Sequence, residues 1–192
     1  MSSVRLLALA GSTREGSYNQ RLADLAASAG AAGGIHVTPL SLARYDLPLY
    51  SDALERSAFP EAALALKAEL AAHDGFLIAT PEHNGSIPAV LKNAIDWASR
   101  PTGDESLVAL TAFRGKVAGL MSASPSPFGG LRALAHLRQI LSTIQTLVVT
   151  EQVAVTAAHL AFEGAALKDE LPRQLLNGLV RRTAQVAAAL KP

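Results

Sequence analysis

Short apolar runs alternate five times with segments of helical periodicity in this chain of 192 residues, and this alternation limits the fold more than any other feature. The apolar runs predict strands, and the amphipathic segments predict helices. Such alternation is typical of a parallel sheet with helices on both faces. The predicted strands are 5–10, 36–40, 75–80, 117–123 and 146–149, and the predicted helices are 19–29, 60–72, 88–99, 130–143 and 171–190. We therefore expect one doubly wound α/β domain over residues 1–192, with three layers and strand order 2-1-3-4-5.

Loops at the carboxyl ends of such strands form the usual ligand site, so the loops after strands one, three and four should meet. The first loop, residues 11–19, reads Gly-Ser-Thr-Arg-Glu-Gly-Ser-Tyr-Asn and leads into a helix. Outward N–H groups and the helix dipole favour an anion there. Hydroxyl and amide side chains add neutral donors, and Arg14 adds a charged donor. The first loop therefore suits a phosphate, although an ordinary serine-capped turn could have the same composition.

The spacing within the first loop excludes the two best-known phosphate motifs. Gly11 and Gly16 have the P-loop separation, but Ser17 and Tyr18 follow where that motif needs Lys and Ser or Thr. The dinucleotide fingerprint G-x-G-x-x-G is absent, and the second apolar stretch, 35–42, has no acidic residue. A ligand with a single phosphate therefore fits better than a nucleoside triphosphate or a Rossmann-bound dinucleotide.

The second loop, residues 81–88, follows the third predicted strand and contains two prolines that stiffen it. The pair Asn84-Gly85 predicts a tight turn with positive φ, and Ser86 is expected to cap the next helix. Backbone groups of such a rigid loop could face a flat heterocycle, but a plain βα connection would look similar. His83 could exchange a proton near neutral pH, although a lone loop histidine usually has no such role.

The third loop, residues 124–130, follows the fourth predicted strand and brings Ser124 and two glycines towards the same crevice. Glu82 in the second loop has no carboxylate partner at a useful spacing for acid–base chemistry. We therefore expect Glu82 to anchor its loop rather than to react.

Composition excludes several classes of function. A net charge of +1 provides no broad field for nucleic acid. The absence of cysteine excludes disulfides, thiolate metal sites and thiol catalysis, and the histidines are too scattered for a metal site. No apolar stretch approaches the length of a membrane span, and a chain without cysteine fits a cytoplasmic protein. Charged residues are only 17%, which indicates either a buried subunit interface or an alanine-rich genome.

Together these motifs resemble the NADPH-dependent FMN reductase family, a flavodoxin-like group that includes quinone, chromate and azo-dye reductases. The similarity spans nearly the whole chain in the right order, and its motifs lie at 11–19, 47–50, 81–97 and 129–141. The resemblance implies a flavodoxin-like enzyme with bound FMN and with NADPH or NADH as co-substrate. It also implies small-molecule electron acceptors and a homodimer or homotetramer with the flavin near a subunit interface.

The resemblance further implies how FMN is held. The first loop would bind the phosphate, the second loop would line the ring and ribityl chain through backbone groups, and Ser124 would border the ring. The implied phosphate donors are Ser12, Arg14, Ser17 and Asn19. The full expected set is Gly11, Ser12, Thr13, Arg14, Gly16, Ser17, Tyr18, Asn19, Pro81, Glu82, His83, Asn84, Gly85, Ser86 and Ser124. No metal or dedicated catalytic side chain is expected, because the cofactor carries the chemistry.

The sequence departs from the family pattern at two places. His83 stands where the family usually has tyrosine, which removes a large aromatic contact beside the flavin. The segment 100–114 looks longer than usual and could cover or shape the site.

The resemblance implies a ping-pong reaction. NAD(P)H would give a hydride to flavin N5 and leave, and an acceptor such as a quinone would then take the electrons from the same face. Two alternatives stay open at this point. One is a flavodoxin-like electron carrier, against which the +1 charge and the scarcity of aromatic residues argue. The other is a regulatory protein whose partner binding responds to the redox state of a flavin.

Overall fold

The computed structural model describes residues 4–191, and a parallel sheet of five strands lies at its centre. The strands are β1 (Arg5–Ala10), β2 (His36–Ser41), β3 (Gly75–Ala79), β4 (Val117–Ala123) and β5 (Leu147–Val155). Their order is β2-β1-β3-β4-β5, which confirms the topology predicted from the alternation. A small antiparallel hairpin, β6 (Phe162–Glu163) and β7 (Ala166–Leu167), follows the sheet and was not predicted.

Helices cover both faces of the sheet. They are α1 (Tyr18–Ala32), α2 (Asp52–Ser57), α3 (Glu61–Ala71), α4 (Ala89–Ala98), α5 (Leu131–Thr143), α6 (Ala158–Ala161) and α7 (Glu170–Leu190), and a 3₁₀ turn spans Leu42–Arg44. Residues of α1 and α7 pack on one face, and residues of α3, α4 and α5 pack on the other. The result is the three-layer, flavodoxin-like arrangement expected from the sequence.

The inner strands are buried on both faces, which explains their continuous apolar runs. Every residue of β3 and of β4 is buried. Side chains alternate between the two faces, so Leu77 and Met121 pack towards α1 and α7. Their neighbours Phe76 and Leu120 pack towards α3, α4 and α5. Two apolar cores, one on each face, therefore fix the sheet and the positions of its loops.

Strand β5 shows where the prediction from local sequence was too short. The predicted strand ended at residue 149, whereas β5 continues to Val155. A register shift between Ala118 and Leu120 allows the end of β4 to pair with residues from Gln152 onwards. The polar run Thr150-Glu151-Gln152 interrupts the apolar pattern, so only the pairing with β4 reveals the extension.

The segment between α4 and β4 lies at the amino-terminal edge of the sheet, away from the carboxyl ends of the strands. Lys67 on α3 is buried and donates hydrogen bonds to the Arg100 carbonyl at 2.7 Å, to Thr102 Oγ1 at 2.9 Å and to the Glu105 carboxylate. Burial alone would raise the pKa of Glu105, but the hydrogen bonds, first that from Lys67, outweigh it and lower the pKa to about 2. These contacts hold residues 100–105 against α3, and the hypothesis that residues 100–114 cover or shape the site gains no support from them.

Among the described residues, no helix combines the length and the apolar character needed to cross a lipid bilayer.

Candidate functional site

Three loops meet at the carboxyl edge of the sheet and enclose an open cleft of about 350 Å³. The cleft is lined by Gly11, Ser12, Thr13, Arg14, Ser17, Tyr18, Asn19, Pro81, Glu82, His83, Val90, Ala123, Ser124 and Pro125. These residues belong mainly to the loops after β1, β3 and β4. Because those three strands are neighbours in the sheet, their loops lie side by side, as the predicted topology requires.

The first loop ends at the amino terminus of α1 and keeps several N–H donors free. Ser17 is the N-cap of α1, and its Oγ accepts a hydrogen bond from the Gln20 N–H at 3.4 Å. Within the described part of the chain, the backbone N–H groups of Thr13, Tyr18 and Asn19 have no acceptor. The first turn of α1 contains no acidic residue. Free donors at the positive end of a helix dipole favour an anion such as a phosphate.

Arg14 lies over the first loop and keeps part of its donor capacity. Its Nη1 and Nη2 donate to the carbonyls of Glu15 and Gly16 at 3.2 and 3.4 Å. The guanidinium lies 5.9 Å from the centre of the Tyr18 ring. A guanidinium has five N–H donors, so about three remain for a ligand.

Asn19 joins the first loop to the end of β4. Its Nδ2 donates to the Ala123 carbonyl at 2.8 Å, and its Oδ1 accepts from the Ala123 N–H at 2.9 Å. The side chain is buried, so this pair of bonds fixes the helix start against the sheet. Only the second amide hydrogen of Asn19 is left for the expected bond to a phosphate.

The second loop is closed by a tight turn. His83 N–H donates to the Ser86 carbonyl at 2.9 Å, and Ser86 N–H donates to the His83 carbonyl at 3.0 Å. Between them Asn84 and Gly85 have φ values of 51° and 79°. Two consecutive positive φ values define a type I′ turn, the geometry that the Asn-Gly pair predicted. In the described structure the N–H groups of Asn84 and Gly85 have no acceptor.

The Glu82 carboxylate anchors the second loop to α5, as the sequence suggested. Its side chain is only 7% exposed and forms an ion pair with Arg132. Oε1 accepts from Arg132 Nε at 2.7 Å, and Oε2 accepts from the backbone N–H groups of Arg132 and Ala133 at 3.1 and 3.4 Å. The hydrogen bonds from Arg132 hold the pKa of Glu82 below its ordinary value. This carboxylate forms part of the wall of the cleft, with its oxygens already occupied.

The expectation that Ser86 caps α4 was wrong. The N-cap of α4 is Pro88, which has no side-chain cap, and Ser86 lies two residues too early to reach the free N–H groups. Ser86 Oγ instead lies 2.9 Å from Nδ1 of His136 on α5. The predicted site residues that do not line the cleft are Gly16, Asn84, Gly85 and Ser86.

The third loop is fixed by close packing behind the cleft. Ser122 Oγ donates to the Thr80 carbonyl at 2.7 Å. Ser124 Oγ accepts from the Ser126 N–H at 3.2 Å, and the Ser124 carbonyl accepts from the Ala158 N–H at 3.0 Å. Ser124 lines the cleft, and its contact with the ring stays a prediction. Three lining residues were not predicted, namely Val90, Ala123 and Pro125. Ala123 could have been found, because the last residue of a parallel strand adjoins the ligand crevice.

Residues 4–160 match the family model described as NADPH-dependent FMN reductase. The chain belongs to the NADPH-dependent FMN reductase family. The matched residues include all three loops of the cleft. Members of this family are FMN-dependent enzymes that use NAD(P)H, and this chain is therefore an oxidoreductase.

Two curated relatives and one solved structure support the assignment to this reductase family. An NAD(P)H-dependent FMN reductase of Pseudomonas aeruginosa is 35% identical over 179 residues, which cover 91% of this chain and 90% of the relative. A quinone reductase of Escherichia coli K12 is 37% identical over 150 residues, which cover 77% of this chain and 74% of the relative. FerB, a flavoenzyme NAD(P)H:(acceptor) oxidoreductase from Paracoccus denitrificans, gives a TM-score of 0.82 at 30% identity and covers 97% of this chain and 98% of its own.

The chemistry of the cleft fits the cofactor of the reductase family. At one end lie a guanidinium, two hydroxyls from Ser12 and Thr13, and the free N–H groups at the start of α1. At the other end the walls include Pro81 and Val90, which suit a flat, largely apolar ring. Among the described residues, no group of three or more histidine or acidic side chains could hold a metal ion.

Proposed function

We propose that the chain binds FMN in this cleft, with the phosphate on the first loop and the ring along the second loop. One observation carries the proposal: the cleft combines the donor-rich start of α1 with the rigid second loop. The hydroxyls of Ser12 and Thr13, the Arg14 guanidinium and the free N–H groups would hold the phosphate. Pro81, the backbone of the second loop and Ser124 would border the ring.

Bound FMN would supply the redox chemistry, namely hydride acceptance from NAD(P)H and electron delivery to an acceptor. The chain would bind and orient the cofactor. Asn84 and Gly85 follow the lining residue His83 and lie just beyond the lining of the cleft, and we propose that their free N–H groups reach the ring edge on which negative charge develops. The type I′ turn and the Glu82 anchor keep those donors in a fixed position. His83 lines the cleft, and a role of its imidazole in proton transfer stays a prediction.

We propose that the enzyme reduces quinones and related acceptors by a ping-pong mechanism. The relative from Escherichia coli is named a quinone reductase, which supports quinones as the acceptor class. The wider class suggested by the resemblance includes flavins, azo dyes and metal oxyanions. The cleft is one open site, so NAD(P)H and the acceptor would bind in turn rather than together.

We propose that the enzyme is a homodimer or homotetramer and acts in the cytoplasm, which suits a chain without cysteine. A groove of about 450 Å³ lies between α4 and α5, next to the second loop. Its lining includes the apolar side chains of Ile95, Ile140 and Ile144. A second copy of the chain would remove this apolar surface from water. Light scattering, which gives the mass in solution, decides between a monomer and these assemblies.

The substitution Arg14→Ala tests the phosphate assignment. Removing a charge-assisted donor should weaken FMN binding about 10- to 100-fold. The melting temperature should stay nearly constant, because Arg14 is exposed. The measurement is fluorescence titration of the apoprotein with FMN. Arg56→Ala, which removes an exposed arginine on α2, is the matched control and should bind FMN normally. An Arg14→Ala protein that keeps full FMN occupancy after dialysis would show that the phosphate lies elsewhere.

A further inference from the structure

Four side chains form a continuous stack beside the first loop, in the order Arg14, Tyr18, Phe162 and Arg21. The rings of Tyr18 and Phe162 are nearly parallel, at 14°, with centres 5.8 Å apart. The guanidinium of Arg14 lies 5.9 Å from the Tyr18 ring centre. The guanidinium of Arg21 lies 4.4 Å from the Phe162 ring centre. Each ring therefore has a guanidinium and the other ring as neighbours, and the ring quadrupoles favour both contacts.

Only half of this stack belongs to the cleft. Arg14 and Tyr18 line it, whereas Phe162 and Arg21 lie behind them. Phe162 is half-buried, and its side chain has no polar group that could bind a ligand. Any effect of Phe162 on a ligand must therefore act through Tyr18 and Arg14.

The β6–β7 hairpin holds Phe162 independently of the first loop. Across the hairpin Phe162 pairs with Leu167, which is 2% exposed and belongs to the core under α7. The side chain of Arg21 donates a hydrogen bond to the Gly164 carbonyl in the hairpin turn. The hairpin thus joins the main core to α1 and presents a fixed aromatic surface to Tyr18.

We infer that Phe162 is a positioning residue for the phosphate end of the proposed FMN site. Arg14 is exposed, and besides two carbonyls of its own loop its contact is the Tyr18 ring. The Phe162 ring is stacked against the Tyr18 ring and restrains its position. A cation ordered in this way before binding loses less conformational freedom when it meets a phosphate. This inference rests on the proposed function, and it concerns affinity for the phosphate rather than for the ring.

The test compares FMN with riboflavin, which has the same ring and no phosphate. Phe162→Leu removes the aromatic face and keeps apolar bulk in the hairpin, and Phe162→Tyr keeps the aromatic face. Phe59→Leu is the matched control, because Phe59 is also half-buried and its aromatic neighbour, Trp97 at 5.2 Å between ring centres, lies outside the three loops of the cleft. Fluorescence titration of each apoprotein gives both affinities, and thermal unfolding reports whether each variant is folded.

The wild-type protein should prefer FMN to riboflavin. Phe162→Leu should lose about tenfold in affinity for FMN and less than about twofold for riboflavin. Phe162→Tyr and Phe59→Leu should keep the wild-type ratio of the two affinities. Equal losses for both flavins, or no loss for either, would overturn the inference and leave the FMN site standing. A wild-type protein that binds both flavins equally would overturn the phosphate site itself, and this inference with it.

A double-mutant cycle gives a second test, in which the effect of Phe162→Leu on FMN affinity is compared in the presence and absence of Arg14. In an Arg14→Ala background, Phe162→Leu should have less than about a twofold further effect on FMN affinity, because its effect acts through Arg14. A full additional tenfold loss in that background would show that Phe162 acts by another route.

Discussion

Gly130 shows how one residue limits the third loop. It has a φ of 85° and precedes α5, and a Cβ there would lie 1.9 Å from Ser122 Oγ. That hydroxyl donates to the Thr80 carbonyl at the end of β3. A side chain at residue 130 would therefore disturb the packing between the second and third loops.

We predict that Gly130→Ala lowers the free energy of unfolding by about 2–4 kcal/mol, through left-handed backbone strain and overpacking. Gly34→Ala is the matched control, because Gly34 has a φ of 71° and nothing within 4 Å of an added Cβ. The control should lose only about 1 kcal/mol. Urea unfolding measures both. Adding Ser122→Ala to Gly130→Ala should restore part of the loss, and equal losses for the two glycine variants would contradict the packing argument.

Single residues also show that hydrogen-bond partners distant along the chain could not be predicted from the sequence. From the sequence, Glu82 was expected to anchor its loop and Asn19 to donate to a phosphate. Their partners, however, are 50 and 104 residues away along the chain. No local pattern gives a partner at such a distance. The sequence therefore predicted an anchoring role for Glu82 but not α5 as its target, and it missed the bidentate bond between Asn19 and Ala123.

At the scale of elements, local chemistry predicted the turns better than the strand ends. The Asn84-Gly85 pair favours a type I′ turn because few other pairs of residues accept a positive φ at both positions. The second half of β5 was missed because its polar residues are placed by pairing with β4. The hairpin that carries Phe162 was missed because it has only two residues in each strand.

The segment between α4 and β4 is held by an ion pair between buried Lys67 and the partly buried Glu105, which leads to a prediction about stability. Glu105→Gln removes the partner of Lys67 and should lower the free energy of unfolding by about 3 kcal/mol at neutral pH. Glu170→Gln, which breaks an exposed ion pair with Arg173, is the control and should change the stability little. A variant as stable as the control would show that the buried pair contributes nothing.

The same pair gives a pH dependence of known sign. The pKa of Glu105 is lowered from 4.5 to about 2 in the folded protein. Its stabilising contribution is therefore complete above pH ~4.5 and is lost as the pH falls from there towards about 2. The stability difference between wild type and Glu105→Gln should be largest at about pH 6 and smaller at about pH 3. Urea unfolding at both values checks this, and a difference that grows on acidification would contradict it.

At the scale of the whole molecule, strand order links the sequence to the site. Because β1, β3 and β4 are adjacent, three loops, of which the first and the last are more than 100 residues apart along the chain, form one cleft. This convergence could be predicted because alternating strands and helices leave few topologies. The position of residues 100–114 could not be predicted from the sequence, since it depends on the contact between Lys67 and Glu105.

We propose that this cleft holds FMN and passes electrons from NAD(P)H to a quinone. The most direct measurement is a visible spectrum. The protein is mixed with FMN, unbound FMN is removed, and the spectrum is followed under anaerobic conditions. If the proposal is right, the protein is yellow, is bleached by NADPH and regains its colour when a benzoquinone is added. A protein that stays colourless after FMN is supplied would contradict the account. A yellow protein whose spectrum NADPH and NADH leave unchanged would also contradict it and would favour an electron carrier.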